Sequence, residues 1–421
     1  MPAPGRPTRI APPSPSAWRR LATFAALALL IAVPAAIHAC GSTRVRPNDA
    51  GASRRDPDPP PPPRPDPYEP ANLPRAPEIR VLLGRLQGAQ RFEIDRVPNA
   101  GGAGERVSVE AGPGGTIAVN GVQRSAPAEI AGTAFQIGDR AYGGRLVVAP
   151  DPEGGLRAVV AVPLEPYVVG VVAGEMPLSW PAAALEAQAI AARTYALHRR
   201  AGRVHETWDV FDDARSQVFV GEPAPSRWTP GLRAAVEATR GLVLVRAGRF
   251  GNAVYHAACG GTTVPTAEAF DAAGADRIPG VRCDDCAGAP RHRWDVEIDG
   301  ANLARATGTR ADALATLAVA AAQPSGRARE IRAGQTTPEG VRHRTVTAVH
   351  FRQSLGAKLP STWIDAFERT RAGFRVRGRG FGHGAGLCQW GAAGKARRGL
   401  SAAAILADYY PDFQIVRIAS E

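Results

Sequence analysis

Hydrophobic and polar positions divide the chain into stretches of different character. Residues 21–37 are apolar and uncharged. Residues 41–77 are dominated by Pro, Asp and Arg, with an unbroken proline run over 59–63. Such a stretch cannot bury a core and predicts an extended, semi-rigid spacer. From residue 78 onward, short apolar segments alternate with Gly, Asn and Asp turns, the pattern of β-strands. Strands are expected over 79–83, 106–109, 116–119, 134–137, 145–148 and 156–162, with Asn120 and Gly121 forming a hairpin turn.

The pattern then changes. The run VVGVV at 168–172 reads as a strand by propensity, with a short helix after Pro166 as the alternative. Residues 181–200 predict a helix. Pro181 suits its first turn and Ser179 can cap it. Leu185, Ala189, Ala192 and Ala196 fall on one stripe, with Ile190 and Leu197 beside it. Further expectations are a loop and strand at 208–220, a helix at 229–239, and strands at 242–245 and 254–256. A tight loop follows at 259–263, then an irregular stretch at 271–293, a strand at 294–298 and a helix at 310–321. Strands at 346–351 and 373–376 lead to a glycine-rich loop at 378–391 and helices at 392–398 and 401–408. The expected fold class is α+β: a β-rich scaffold with an inserted helical segment and a Gly-rich C-terminal loop.

Charge changes this picture less than its size suggests. The net charge is +12, but all except two of the 51 basic residues are arginine, scattered without a dense block. That reads as a solvated basic surface and argues against nucleic acid as a partner; an anionic wall polymer or membrane surface is the second reading. The N-terminus adds a destination. Arg6, Arg9, Arg19 and Arg20 precede the apolar 21–37 run, which is short and alanine-rich for a membrane span. It ends Ile37-His38-Ala39-Cys40, similar to a bacterial lipobox, with Cys40 as the residue to be lipidated. An ordinary cleaved signal peptide and an uncleaved anchor are the alternatives, and all three export the chain to the cell envelope. The expected organisation is a signal segment at 1–40, a spacer at 41–77 and one folded domain at 78–418. Within that domain, 78–163 is β-rich, 164–240 helical and 241–418 β-rich with the Gly-rich motif.

Candidate chemistry centres on Glu175. Val171, Val172, Met176, Leu178 and Trp180 surround it in sequence. Apolar surroundings raise a carboxyl pKa by desolvation and keep a proton available for general acid catalysis. Arg193 stands among small residues on the predicted helix, where it either decorates a surface or orients a carboxylate or sugar substituent. The 378–391 loop is not a dinucleotide fingerprint, because strand, motif and helix are in the wrong relation. Its glycines are expected to let backbone approach a ligand or another strand closely, with His383 and Gln389 as lining residues; a structural histidine is the alternative for His383. His256, Cys259, Cys283 and Cys286 form an HxxC and a CxxC, read equally as a zinc site or as disulfide-bonded cysteines. No cofactor is required, and a structural zinc ion is one of those two readings.

At this point the residues carry a resemblance. Gly174-Glu175-Met176-Pro177, Trp180-Pro181 and the run EAQAIAARTY at 186–195 resemble the signature of the stage II sporulation protein D family, also called the amidase-enhancer family. Gly380-Phe381-Gly382-His383-Gly384, Gln389-Trp390-Gly391 and Tyr409-Tyr410-Pro411 resemble its C-terminal signature, and Gln217-Val218-Phe219 a third piece. The resemblance covers roughly residues 78–418. It implies a peptidoglycan lytic transglycosylase with Glu175 as catalytic acid and Arg193 important for activity. Gln188, Gln217, His383 and Gln389 join Arg193 as candidate contacts to glycan strands. The implied mechanism uses one carboxyl group and leaves a 1,6-anhydro end; Asp212 and Asp213 are the nearest second carboxylates should the reaction be hydrolysis. Some relatives carry a Cys and a His-Cys pair where this chain has Phe211, Arg215 and Ser216, so that metal cluster does not carry over. The resemblance also implies a non-catalytic alternative, a wall-binding protein that enhances a partner amidase.

Overall fold

The structure is a computed structural model that describes residues 69–72, 77–96, 106–130, 134–222, 230–270 and 277–418. The expected signal segment, Cys40 and nearly all of the 41–77 spacer lie outside the described residues. No described helix is long and apolar enough to cross a membrane.

The first half is built on two antiparallel sheets. One has six strands, ordered 122–124, 117–119, 106–111, 91–96, 134–137 and 140–143. The other has five, ordered 210–211, 78–82, 156–163, 145–150 and 128–130, with only the 78–82/210–211 pair parallel. Alternating apolar residues from both sheets fill one core. The strands expected from residue 78 to 163 are all present. Four others, Arg91–Arg96, Val122–Arg124, Ala128–Ile130 and Arg140–Gly143, were not expected, since each is short of apolar residues or interrupted by charged and polar ones.

The chain then enters helix α1 (Leu164–Glu175) and helix α2 (Ala182–Ala201). In α1 the valine-rich run is helical, the alternative reading of that stretch. Tyr167, Val168, Val169, Val171 and Val172 are all buried, and packing on more than one side outweighs β-propensity. Pro181 occupies the N-cap of α2 with no side-chain cap, so Ser179 does not cap this helix. Thirteen of the 20 residues of α2 are buried. Leu185, Ala189, Ala192, Ala196 and Leu197 face the first core, whereas Ala187, Ile190 and Ala191 face a second. Small side chains let neighbours close in from both directions, making α2 the shared spine of two cores.

Helix α3 (Pro230–Ala238) and the strand Leu242–Arg246 continue the chain. The short helix α4 (Thr266–Phe270) follows. An outer lobe comes next, holding helix α5 (Gly300–Thr307), helix α6 (Ala348–Leu355) and a third core. Two expectations fail there. Residues 310–321 are not a helix: Leu314–Ala322 is a strand paired along its length with Ala328–Thr337, which pairs in turn with Gly340–Thr347. Alanine's helical preference is worth only tenths of a kcal/mol over most residues, and a strand ladder overrides it. Residues 346–351 straddle a boundary. The strand stops at Thr347, whose hydroxyl accepts the His350 N–H and starts α6. The chain closes with helix α7 (Gln389–Arg397) and helix α8 (Ala402–Tyr409), both packed on α2.

Candidate active site

Glu175 is the last residue of α1, and its position follows from two glycines. Gly170 and Gly174 lie four residues apart, one above the other on the helix. A Cβ on Gly170 would sit 2.4 Å from the Gly221 carbonyl oxygen, and one on Gly174 would sit 2.4 Å from that of Val218. The 218–221 backbone therefore lies directly in the groove these glycines leave, and the Val218 N–H donates to Glu175 Oε1 at 2.7 Å. Alanine in an open helix gains about 1 kcal/mol over glycine. Here the added methyl meets a backbone carbonyl, and overpacking costs about 1–3 kcal/mol. Gly174→Ala is accordingly expected to lower the melting temperature; a rise in Tm would sink this account.

The carboxylate opens on a cavity of about 440 Å³. Its lining includes Tyr195, Arg215, Ser216, Tyr255, His256, Arg352, Phe381, His383 and Gln389. Gln389, the first residue of α7, donates from Nε2 to Glu175 Oε2 at 3.3 Å, and the Tyr255 hydroxyl lies near enough to favour the charged carboxylate. Burial pushes the Glu175 carboxyl above its usual range, and Val218, Gln389 and Tyr255 offset only part of that rise. Among the described lining residues Glu175 is the one carboxylic acid. Hollows of about 570 and 610 Å³ lie elsewhere. Of the acids that line them, Glu78, Glu165 and Glu237 are tied to Arg145, Arg193 and Arg240, which suits structure more than proton transfer.

The expected site residues divide into three groups. Glu175, His383 and Gln389 come together in the cleft. The His383 imidazole donates from Nε2 to the Tyr255 carbonyl at 2.8 Å and accepts the Ala385 N–H at Nδ1. Burial lowers its pKa to about 4, so the ring is neutral and pins the Gly-rich loop to the Tyr255 strand. Gln217 lies beneath the cleft. It accepts from the Tyr167 hydroxyl at 2.8 Å and donates to the Tyr255 hydroxyl at 2.9 Å. Gln217 thus holds Tyr255 in place from a fully buried position.

Gln188 and Arg193 do not reach the cleft. Gln188 is fully buried in α2, with neither amide atom hydrogen-bonded. Arg193 is also fully buried. Its guanidinium grips Glu165 at 2.7 and 2.9 Å and donates to the Leu242 carbonyl at 3.0 Å. It ties α1, α2 and the Leu242–Arg246 strand together and has no free donor edge for substrate. The expected substrate-orienting role is corrected to that of an internal strut.

The cysteine set is corrected too. The four thiols are free, and the fourth partner of Cys259, Cys283 and Cys286 is Cys388, not His256. His256 donates from Nδ1 to the Ala385 carbonyl and faces the cleft, its buried Nε2 unpartnered.

The glycines of the 380–386 loop serve close approach, as expected. A Cβ on Gly386 would fall 2.0 Å from the Val254 carbonyl oxygen, and one on Gly384 would fall 2.4 Å from the buried Arg327 guanidinium. The two aromatic signatures also meet, Trp180 and Trp390 packing edge to face at 5.0 Å. Where relatives are expected to hold a Cys and His-Cys cluster, the Arg215 guanidinium lies 3.8 Å over the Phe211 ring. Ser216 Oγ there accepts the Phe211 N–H. Tyr255, Tyr195 and Arg352 were missed as site residues. Tyr255 read only as part of a strand, and nothing in sequence pointed to Arg352, which arrives from the outer lobe.

Residues 152–245, which contain Glu175, match the family described as Stage II sporulation protein. That stretch is similar to a stage II sporulation protein domain. An uncharacterized protein of Brachyspira hyodysenteriae is 30% identical over 256 residues, 60% of this chain and 66% of that protein. Stage II sporulation protein D of Bacillus subtilis is 26% identical over 273 residues, 62% of this chain and 76% of that protein. The amidase enhancer of the same organism is 26% identical over 289 residues, 58% of this chain and 39% of that protein. The matched stretch spans just under two thirds of the first relative and well under half of the last. The stage II sporulation protein match ends at residue 245, so it covers the acid and the spine helix but not the Gln389 and His383 wall.

Proposed function

We propose that this protein is a peptidoglycan lytic transglycosylase that cuts glycan strands next to N-acetylmuramic acid. The observation that carries this reading is Glu175, the lone described acid of its cleft, with its pKa raised by burial. In its acid form Glu175 gives a proton to the glycosidic oxygen as the C1–O bond breaks. As a carboxylate it then takes the proton of the muramic 6-hydroxyl while that oxygen bonds to C1. The product is a 1,6-anhydro end, the acid is restored and no water is consumed. One group serves both steps, whereas hydrolysis by paired carboxylates needs two across the scissile bond. Asp212 and Asp213 do not supply the second: Asp212 accepts the Gly84 N–H and Asp213 pairs with Arg215. Arg352 gives the cleft positive charge suited to anionic sugar substituents, whereas the Arg215 charge is already met by Asp213. In this reading the N-terminal segment exports the chain, and lipidation of Cys40 tethers it to a membrane.

The test is product analysis. Peptide-stripped glycan strands are mixed with the protein and the products weighed by mass spectrometry. Anhydro-muramic ends that vanish with Glu175→Gln are the expected result; strand binding without cleavage, indifferent to Glu175, would overturn it. That second outcome is what the other reading expects, a wall-binding enhancer of an amidase, which rests on the name of one relative.

Two further expectations follow. The reaction needs Glu175 protonated, so rate falls as pH rises through its pKa. Because burial raises that pKa, the descending limb should lie above the ordinary carboxyl value of about 4.3. A pH–rate profile with its limb at or below that value counts against Glu175. Phe381 is 39% exposed at the cleft. Phe381→Ala should raise KM about 2–10-fold through a lost contact of roughly 0.5–1.5 kcal/mol, with kcat and Tm little changed.

A further inference from the structure

We propose that Cys259, Cys283, Cys286 and Cys388 bind one structural zinc ion as a tetrathiolate site. The four sulfurs come from three separated segments, and all lie within 4.8 Å of one another. A tetrahedral zinc with Zn–S bonds of about 2.3 Å places its sulfurs roughly 3.8 Å apart. The cluster therefore needs adjustments of less than about 1 Å. The closest pair whose separation is resolved, Cys259 and Cys286, stands at 3.3 Å, well beyond a bonded S–S distance of about 2.05 Å. All four side chains are buried. Four sulfur donors without nitrogen or oxygen favour a soft or borderline metal, and closed four-sulfur sites are characteristic of structural zinc.

An independent observation supports the thiolate form. Groups able to donate a hydrogen bond lie against three of the four sulfurs, and on Cys388 they are backbone N–H groups. Cys388 Sγ accepts the N–H groups of Cys259 and Gly391, each at 3.3 Å. It caps the N-terminus of α7, where the helix dipole favours negative charge. The Tyr409 hydroxyl lies 3.0 Å from Cys283 Sγ, and His292 Nδ1 lies 3.4 Å from Cys286 Sγ. Such outer donors are what a doubly negative zinc–tetrathiolate centre requires. Glycine at 391 fits the same packing: a Cβ there would sit 2.4 Å from Cys283 Sγ and 2.2 Å from the Tyr409 hydroxyl.

The site lies directly behind the cleft. Cys388 precedes Gln389, the partner of Glu175, and the 255–256 and 387–388 strands pair in parallel. Zinc would thus fix the wall that carries Tyr255, His383 and Gln389. The assignment stands apart from the reaction proposed above.

The test uses the full-length chain, purified from zinc-supplemented cells. Native mass spectrometry and elemental analysis should find one zinc per chain. Cobalt substitution should give the charge-transfer and visible bands of tetrahedral thiolate ligation. The four thiols should become alkylatable only after unfolding with a chelator. Altering the outer shell of a metal site costs 10–100-fold in affinity, so Cys388→Ala should weaken zinc binding by more than about tenfold. His256→Gln should keep full zinc content. Absence of zinc, two disulfides per chain on non-reducing mass analysis, or zinc lost with His256 and kept without Cys388 would each overturn the assignment. The mass measurements need only the unaltered chain, so a variant that fails to fold leaves the test intact.

Discussion

Replacing Glu175 by glutamine is expected to reduce strand cleavage by at least about 100-fold, and by up to about 10,000-fold, the range a positioned acid/base supplies. Binding should survive, because glutamine keeps the acceptor for the Val218 N–H and nearly the same shape. The same variant should be more stable than the natural protein at neutral pH. The sign follows from linkage. The folded-state pKa of Glu175 is raised, so its favourable contribution is complete below the unfolded pKa and is lost as pH rises through the folded one. Glutamine never ionises and escapes that loss. Melting curves should therefore diverge at neutral pH and converge in acid, with a Tm gain on the order of 1–3 °C. A variant that is both inactive and less stable at neutral pH would indicate that Glu175 serves the fold.

Arg193→Ala should produce the largest loss of stability. It leaves Glu165 almost buried, with the Gly241 N–H in place of a bidentate guanidinium. Breaking such a buried pair costs about 3–5 kcal/mol. Replacing both partners together, as Arg193→Met with Glu165→Leu, removes the unpaired charge and should recover much of that cost. Denaturant unfolding measures both. KM of whatever fraction folds should stay near normal, since the guanidinium lines no part of the cleft. A stable Arg193→Ala protein with a raised KM would restore the substrate-orienting role and sink the strut.

The apolar setting of Glu175 was legible because it is local: an apolar run, Glu175 and a proline-aromatic corner are adjacent in sequence. Burial of the α2 stripe was legible for the same reason, since helical periodicity is a short-range signal. Arg193 was misread because sequence shows that it stands among small residues but not that Glu165 lies opposite. The two are 28 positions apart on different helices. Cys388 was passed over in favour of His256 because HxxC beside CxxC is a sequence-adjacent pattern, whereas Cys388 is 129 positions from Cys259. Residues 314–322 show the same limit for the fold. Their alanines favour helix weakly, and the pairing with 328–337 that makes them a strand is a tertiary fact.

Glu175 and Gln389 meet across 214 positions of chain. Glu175 belongs to the first half of the protein, while Gln389 and His383 belong to its last forty residues. A contact of that span is among the slowest to close, because the intervening loop entropy must be overcome first. The acid therefore acquires its partner amide only once α7 and α8 have docked on α2. Nascent or truncated chains carry the carboxyl group without the wall that shields and orients it. In the proposed reading, docking of the C-terminal helices is therefore the event that completes the site.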